Sequence, residues 1–396
     1  MRVLFVTIAT GGAASALYNL VLGMRGQHEI AVVVPGESAF ADSLEAIGIK
    51  VYKSETYRLS VWPQAINPVK YYSQLRQVRR NKSVVRDYIG RVIDDFQPDI
   101  VHTNVGPLDI ALEPCRKRGI PHVWHQREYQ AGMTFYPSRK SFLKMIHLKG
   151  NWNIAISEGI SRFWHFSDRD RVVFDGVFSK VINNVDNFNI VDNSGNSDCK
   201  SCGKRPYFLY AGRIEKNKGL LDVLKAFRIF CRNDRSYVLK VAGVPSKYYA
   251  LRCRRYIARH KLGGRVEFLG QADNVRGLMA GAGAFIMSSY CEGFGLTTVE
   301  AMLERCIVIG RDDFGTREQF DRGLGLMGRE IALRFDDVAG LAGRMAEVAG
   351  GTEDLEDMRE AAYRTVIDSY SIEQSAASVT SFYEDILNLH TKRYGE

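Results

Sequence analysis

The chain of 396 residues is too long for one ordinary core and suits two domains of roughly 200 residues each. Hydrophobic residues make up 45% of it and charged residues 25%, with only 10 prolines, which excludes a disordered, collagen-like or low-complexity chain. The net charge is +9, and residues 51–150 hold 17 Lys and Arg against 8 Asp and Glu. This local basic excess predicts a polyanionic partner: nucleic acid, an anionic membrane or a phosphorylated ligand.

In chain order, β-branched apolar runs alternate with helical patterns. Strands are predicted near 2–9, 29–34, 99–103, 121–125, 153–157 and 171–174, with helices near 13–25, 39–47, 68–95, 108–118, 138–148 and 158–165. Polar turn-formers predict a linker at 186–204. Strands resume near 207–212, 237–242, 265–269, 283–287 and 306–309, and two helices near 355–368 and 372–389 end the chain.

This alternation predicts an α/β fold with two doubly wound, Rossmann-like domains, 1–185 and 205–370, facing across a cleft. The C-terminal helix of 371–396 is expected to pack back on the first domain. Ligands of such folds bind at the carboxyl ends of the strands, so function is expected in the loops that follow them.

Seven scattered cysteines predict a reducing, cytoplasmic compartment rather than a disulfide framework. Cys199 and Cys202 have the spacing of a zinc or redox pair, but no second Cys or His pair follows them. An incidental loop pair is therefore favoured, with metal and redox roles left open. No apolar run approaches 18 residues, so membrane contact is expected to be peripheral.

The most informative loop follows the strand 284–287. It contains Glu292-Gly-Phe-Gly and leads into a helix near Thr297, a junction whose free N–H groups suit a phosphate or sugar hydroxyls. Glu292 and Glu300 bracket this junction. Thr297 and Glu300 also match a capping box, and Glu292 can be read as a solvated acid; both alternatives stay open. A retaining glycosidase pair is disfavoured, because its carboxylates must lie about 5 Å apart, whereas the eight mostly helical steps from Glu292 to Glu300, at about 1.5 Å each, span more than that.

A second loop carries Arg213, Lys216 and Lys218 just before a helix that begins near Leu220. Cations are unfavourable at a helix N-terminus, so a bound anion would explain them. Three solvated bases are the alternative.

Together these stretches resemble the retaining, nucleotide-sugar-dependent glycosyltransferases of the GT-B fold, in family four. Glu292-x7-Glu300 resembles the family's acidic signature, and Gly212-Arg213-x4-Lys218-Gly219 its phosphate loop. The resemblance implies that Arg213 and Lys218 hold the donor diphosphate, that Glu300 binds the ribose and that Glu292 faces the donor sugar. It also implies donor contacts from the following residues: Gly11, Gly12, Gly270, Phe294, Gly295, Leu296 and Thr297.

The same resemblance assigns roles in the first lobe. His125 matches a histidine that faces the transferred sugar, with a structural histidine as the alternative, and Arg127 and Glu128 are placed on the acceptor side. Gly11-Gly12 lacks the G-x-G-x-x-G pattern, which argues against a dinucleotide site. The chain departs from the family at 313–318, and Phe174-Asp175-Gly176 is read as a hinge turn.

The implied activity is retaining, metal-independent transfer of a sugar to an acceptor hydroxyl in polysaccharide biosynthesis. The co-substrate is a UDP- or GDP-linked sugar, no cofactor or metal is implied, and the acceptor is a lipid-linked or cell-surface saccharide. The alternatives are a non-catalytic subunit that binds nucleotide sugar, an epimerase and a phosphorylase. The basic helices, with Arg79, Arg80, Lys140 and Lys144, are either a solvated face or a contact with the inner face of the cell membrane. Nucleic acid is disfavoured because no recognition motif accompanies the charge.

Overall fold

The computed structural model describes residues 1–56, 67–106, 108–129, 138–178, 205–272 and 274–394. The chain divides into two compact units, Met1–Ser179 with Ser371–Glu396, and Lys180–Tyr370. Each unit contains one parallel sheet with helices on both faces, so the predicted pair of doubly wound α/β domains is confirmed. The predicted linker, with Cys199 and Cys202, lies outside the described residues.

The first unit is built on a seven-stranded sheet. Its strands are β1 (Arg2–Val6), β2 (Glu29–Pro35), β3 (Lys50–Ser54), β4 (Ile100–Thr103), β5 (His122–Gln126), β6 (Asn151–Ala155) and β7 (Arg171–Val172). Its helices are α1 (Gly12–Met24), α2 (Ala39–Ala46), α3 (Pro68–Phe96), α4 (Leu112–Arg118), α5 (Arg139–Ile146), α6 (Glu158–Phe163) and the C-terminal α14 (Ile372–Tyr394). The strand order is β3-β2-β1-β4-β5-β6-β7, and neighbouring strands are parallel.

Two apolar cores cover the faces of this sheet. On one face α1 and α14 pack together, so closely that a Cβ on Gly23 would lie 2.7 Å from Ile372 Cγ2. On the other face α3 buries Val85, Ile89 and Val92 at helical spacing. No helix in the described ranges is long and apolar enough to cross a membrane.

The second unit is built on a six-stranded parallel sheet. Its strands are β8 (Tyr207–Ala211), β9 (Val238–Ala242), β10 (Val266–Gly270), β11 (Ala284–Met287), β12 (Val308–Arg311) and β13 (Leu333–Phe335). Its helices are α7 (Leu220–Phe230), α8 (Lys247–Arg259), α9 (Val275–Ala280), α10 (Leu296–Leu303), α11 (Phe314–Met327), α12 (Val338–Gly350) and α13 (Asp354–Ser369). The strand order is β10-β9-β8-β11-β12-β13.

Two strands were not predicted from the sequence, and some element ends were misplaced. Both missed strands, β3 and β13, lie at sheet edges, where a strand has one partner and lacks the continuous apolar run of a central strand. The first strand ends at Val6 rather than at residue 9. Helix α4 begins at Leu112 rather than at 108, because the apolar residues before it are buried in a loop.

The strand orders identify where each sheet can bind a ligand. The first sheet grows from β1 through β2 to β3 on one side and then continues with β4 on the other side of β1. The second sheet changes sides in the same way between β8 and β11. At such switch points the chain leaves the two central strands toward opposite faces of the sheet, and a crevice forms at the carboxyl edge of the sheet.

Candidate functional site

The two loops singled out in the second unit flank its switch point. β8 and β11 pair in parallel, with Phe208 opposite Ala284 and Leu209 opposite Phe285. The loop after β8 therefore lies beside the loop after β11, although their sequences are about 75 residues apart.

Direct hydrogen bonds join these loops. Ser288 Oγ donates to the carbonyl oxygen of Lys218 at 2.8 Å, and the Tyr290 N–H donates to that of Asn217 at 2.8 Å. Gly219 has φ of 73°, and a Cβ there would lie 2.2 Å from the Ser288 carbonyl oxygen. Both the backbone conformation and the close approach therefore require glycine at this position.

Lys218 and Glu292 form an ion pair between the loops. The distance from Lys218 Nζ to Glu292 Oε2 is 2.8 Å, and the side chains are 24% and 19% exposed. The pair holds a cation at the crevice while leaving it partly accessible. Arg213 is not part of this pair: its side chain is 65% exposed and contacts Glu215 at 3.1 Å.

Helix α10 begins earlier than the capping-box interpretation requires. Gly295, with φ of 90°, is the N-cap, so Thr297 lies inside the first turn. The capping-box alternative for Glu300 is therefore wrong. The first amides of α10, at Leu296 and Thr297, point out of its N-terminus. The Phe294 ring packs inward, 5.3 Å from the Tyr370 ring, which leaves the backbone of this residue to line the loop.

Glu300 is partly buried, and its carboxylate makes no hydrogen bond or ion pair with any described residue. Arg276, whose charge acts on Glu300, instead pairs with Glu304 at 2.5 Å. Burial raises the pKa of Glu300 above its ordinary value, although the charge of Arg276 opposes this. A carboxylate with both oxygens unused is suited to accept hydrogen bonds from two neighbouring hydroxyls.

Arg311 supports the β11 loop and the first turn of α7, and it was missed by sequence reasoning. Its buried guanidinium donates to the Ser288 carbonyl oxygen at 3.3 Å and to Asp222 at 3.3 Å. It also lies over the Tyr290 ring, 4.1 Å from the centroid, and the Tyr290 hydroxyl bonds Asp222. The available signal was a charged residue at the end of an otherwise apolar strand, Val308–Arg311.

Two further segments border the site. The Gly315 N–H donates to the Glu292 carbonyl oxygen at 3.0 Å, so the segment that departs from the family pattern supports the β11 loop through its backbone. Gly270 ends β10 with φ of 70°, and nothing lies within 4 Å of a Cβ built on it. This backbone is open to close approach by a ligand.

In the first unit, Gly11 and Gly12 lie at the switch point between β1 and β4. Gly11, with φ of 79°, is the N-cap of α1, and nothing lies within 4 Å of a Cβ built on it. Asn104, just after β4, donates to Thr7 Oγ1 at 3.2 Å and to the Ala13 carbonyl oxygen at 2.8 Å. The loops after β1 and β4 are thereby tied together at an open backbone.

The residues after β5 divide into a buried and an exposed group. His125 is only 2% exposed, and burial, with the charge of Arg127, holds its pKa well below the ordinary value, so the ring is neutral near pH 7. Arg127 is also buried, and its side chain pairs with Asp175 at 2.6 Å. Glu128 is exposed.

The four bases assigned to a membrane surface are exposed: Arg79 and Arg80 on α3, and Lys140 and Lys144 on α5. Arg79 also lines a groove of 770 Å³ between α3 and α4. Its walls carry six Lys and Arg side chains against two acidic ones, Asp87 and Glu113. Within the described ranges, no three His, Cys, Asp or Glu side chains are placed to hold a metal ion.

Solved structures of the same architecture cover nearly the whole chain. A glycosyltransferase from Rickettsia africae has a TM-score of 0.73 at 19% identity, covering 98% of both chains. Anabaena HepE in complex with UDP-glucose has a TM-score of 0.73 at 16% identity, covering 97% of this chain and all of that one. Residues 11–149 match the family model "Glycosyl transferase 4-like domain", and residues 199–365 match "Glycosyl transferases group 1". The chain belongs to the glycosyltransferases of the GT-B fold.

Curated relatives of this GT-B glycosyltransferase are distant. A GDP-mannose:cellobiosyl-diphosphopolyprenol alpha-mannosyltransferase of Xanthomonas oryzae is 26% identical over 183 residues, 46% of this chain and 47% of that protein. The match therefore spans about half of that relative's length. A GalNAc-alpha-(1->4)-GalNAc-alpha-(1->3)-diNAcBac-PP-undecaprenol alpha-1,4-N-acetyl-D-galactosaminyltransferase of Campylobacter jejuni is 23% identical over 319 residues, 76% of this chain and 77% of that protein.

Proposed function

We propose that this GT-B glycosyltransferase moves a sugar from a UDP- or GDP-linked donor to a hydroxyl of a lipid-linked or cell-surface saccharide, with retention at the anomeric carbon. The observation that carries the proposal is the Lys218–Glu292 pair between the β8 and β11 loops, together with the Glu300 carboxylate, which has no hydrogen-bond or ion-pair partner among the described residues. A cation, outward-pointing helix amides and a free carboxylate are the groups that a sugar nucleotide requires.

The charges assign a role to each side chain. As the glycosidic bond breaks, the leaving nucleoside diphosphate gains negative charge, and a cation already in place lowers that barrier. Lys218 supplies this positive charge in place of a metal ion, together with the exposed side chain of Arg213. Glu292 holds Lys218 before the donor arrives and faces the donor sugar afterwards. Glu300 accepts from the ribose hydroxyls, and His125, Gly11 and Gly12 are proposed as further donor contacts.

Retention follows if the acceptor attacks from the face that the diphosphate leaves. In that mechanism a donor phosphate oxygen takes the acceptor proton, and no protein carboxylate acts as a nucleophile.

The lipid-linked acceptor is supported by the names of the two relatives, one acting on a diphosphopolyprenol and the other on a PP-undecaprenol saccharide. Geometry adds support for peripheral attachment to the inner face of the membrane. Val101 and its register partner His122 share a sheet face with Trp124, whose ring contacts Phe142 of α5 at 4.8 Å. Helices α3 and α5, which carry the exposed bases, therefore cover the same face of the first sheet.

The test is a transfer assay with UDP-, GDP- and ADP-sugars and polyprenyl-diphosphate saccharide acceptors, with and without EDTA. NMR of the product gives the anomeric configuration. The proposal expects one donor base to support transfer in EDTA, with the donor configuration retained. Inversion, or transfer that EDTA abolishes, contradicts the mechanism. Nucleotide binding without either transfer or donor hydrolysis indicates a non-catalytic subunit.

A further inference from the structure

A buried charged network lies at the carboxyl edge of the first sheet. Arg127 Nη1 donates to both oxygens of Asp175, at 2.6 and 2.7 Å. Its Nε donates to the carbonyl and side-chain oxygens of Asn104, both at 3.1 Å, and its Nη2 donates to the Asn104 side chain at 2.9 Å. The Arg127 and Asp175 side chains are only 5% and 6% exposed.

A buried ion pair of this kind adds little to the net free energy of folding. The desolvation of two buried charges offsets most of their attraction, and apolar residues of similar volume serve as well or better in measured cases. The network does fix the guanidinium, because Nη1 bonds the Asp175 carboxylate while Nε and Nη2 bond Asn104, so that all three nitrogens are held. Its rigid placement therefore indicates a role in orienting a neighbouring group.

The neighbouring group is His125. Arg127 Nη2 lies 3.4 Å from His125 Nδ1, and a guanidinium only donates hydrogen bonds, so Nδ1 must be the acceptor. Neutral imidazole carries one proton, which then resides on Nε2. This Nε2 is buried and has no hydrogen-bond partner in the part of the chain that the structure describes. The nearby His102 ring, 5.3 Å away, bonds the Tyr383 hydroxyl through its own Nδ1.

We propose that Arg127, fixed by Asp175 and Asn104, is a positioning residue that holds neutral His125 with its proton on Nε2, so that Nε2 donates a hydrogen bond to a hydroxyl of the transferred sugar. The part concerning the sugar rests on the proposed function. The part concerning the tautomer does not, because it follows from the hydrogen-bond geometry of the first unit.

The tautomer is measured directly by NMR of protein with ¹⁵N-labelled histidine, since protonated and unprotonated ring nitrogens differ in chemical shift. The chain has 8 histidines, and the signal lost in His125→Gln identifies His125. The expected spectrum at pH 7.5 shows a neutral ring protonated at Nε2. A ring protonated at Nδ1, or at both nitrogens, overturns the proposal whether or not the protein transfers sugar.

The test variant replaces both charges, Arg127→Met with Asp175→Leu, because removing one partner alone leaves a buried unpaired charge and risks unfolding. We expect the His125 ring to become a mixture of tautomers and kcat to fall about tenfold, as for one lost hydrogen bond. Affinity for UDP or GDP alone should not change, because the nucleotide contacts assigned above to charged side chains lie in the second unit. Wild-type tautomer and kcat in this variant contradict the proposal.

A glutamine at 125 separates positioning from simple structural support. An amide donor has no tautomers, so removing the Arg127–Asp175 pair should cause no further loss of activity in a protein that already carries His125→Gln. Losses that simply multiply indicate instead that the pair acts on the fold rather than through His125.

Discussion

Gly219 offers a sharp test of the way the two donor loops are joined. Replacing it with Ala places a Cβ 2.2 Å from the Ser288 carbonyl oxygen, whereas 3.0 Å is the practical minimum. The loops must therefore separate by about 0.8 Å, an overpacking that costs about 1–3 kcal/mol. The left-handed φ of 73° adds about 1–2 kcal/mol for any L-residue.

Gly328→Ala is the matched control. Gly328 lies in the same unit with φ of 67°, but nothing lies within 4 Å of its Cβ position, so only the conformational cost applies. We expect the free energy of unfolding of the second unit, measured by scanning calorimetry, to fall by about 2–5 kcal/mol in Gly219→Ala and about 1–2 kcal/mol in the control.

Binding should separate the two variants further. Because Lys218 precedes Gly219 and its carbonyl oxygen bonds Ser288, the separation moves the cation, and we expect affinity for the donor nucleotide to fall about 10- to 100-fold. Gly328→Ala should bind as the wild type does. Equal losses of stability in the two variants, together with unchanged nucleotide affinity in both, refute the account of the joined loops.

Two further predictions concern the first unit. Burial lowers the pKa of His122 from 6.5 to about 4, so between these values the unfolded chain binds a proton that the folded chain does not. The free energy of unfolding therefore falls as pH drops from about 6.5 toward 4, by about 2 kcal/mol at pH 5. All tryptophans lie in the first unit, so urea unfolding followed by tryptophan fluorescence reports on this unit. In His122→Gln the free energy of unfolding should fall by about 2 kcal/mol less between pH 6.5 and pH 5 than in the wild type. An equal pH dependence in the two proteins contradicts this prediction. Binding to anionic liposomes should weaken with salt. It should be lost when Arg79, Arg80, Lys140 and Lys144 are neutralised, because each charge contributes about 1 kcal/mol of binding free energy. Neutralising the four arginines of α8 instead should leave the binding unchanged. Salt-insensitive binding, or loss in both variants, counts against the proposed surface.

The fold could be predicted because its central strands are marked locally. Runs such as Val3–Val6 and Val32–Val34 are buried on both faces and read as continuous apolar stretches. The edge strands β3 and β13 lack this signal, since their pairing depends on a neighbouring strand rather than on their own composition.

The site was predictable as a set of residues but not as an arrangement. Motif spacing identified Lys218, Glu292 and Glu300, whereas the ion pair between the first two depends on β8 lying beside β11. The capping-box interpretation failed because the left-handed φ of Gly295, which starts α10 two residues before Thr297, has no local sequence signature stronger than a glycine.

Buried charges were the least predictable part. Arg127 was placed on the acceptor side by resemblance, and its ion pair was not predicted, because its partner Asp175 lies 48 residues away and only the folded chain brings them together. Arg311 likewise reaches back 23 residues to Ser288. Long-range ion pairs of this kind depend on the topology of the fold, so they cannot be predicted from local sequence patterns.

The central claim is that Lys218 and Glu300 bind the donor at the switch point of the second sheet. Its most direct test is kcat/KM for sugar transfer in Lys218→Ala and Glu300→Ala, with Arg232→Ala, past the opposite end of α7, as the matched loss of a cation. We expect a fall of about 100-fold or more in Lys218→Ala, from lost stabilisation of the leaving group, and of about tenfold in Glu300→Ala, from lost ribose contacts. The control should match the wild type. Unchanged transfer and nucleotide release in the Lys218 and Glu300 variants would show that the donor binds elsewhere.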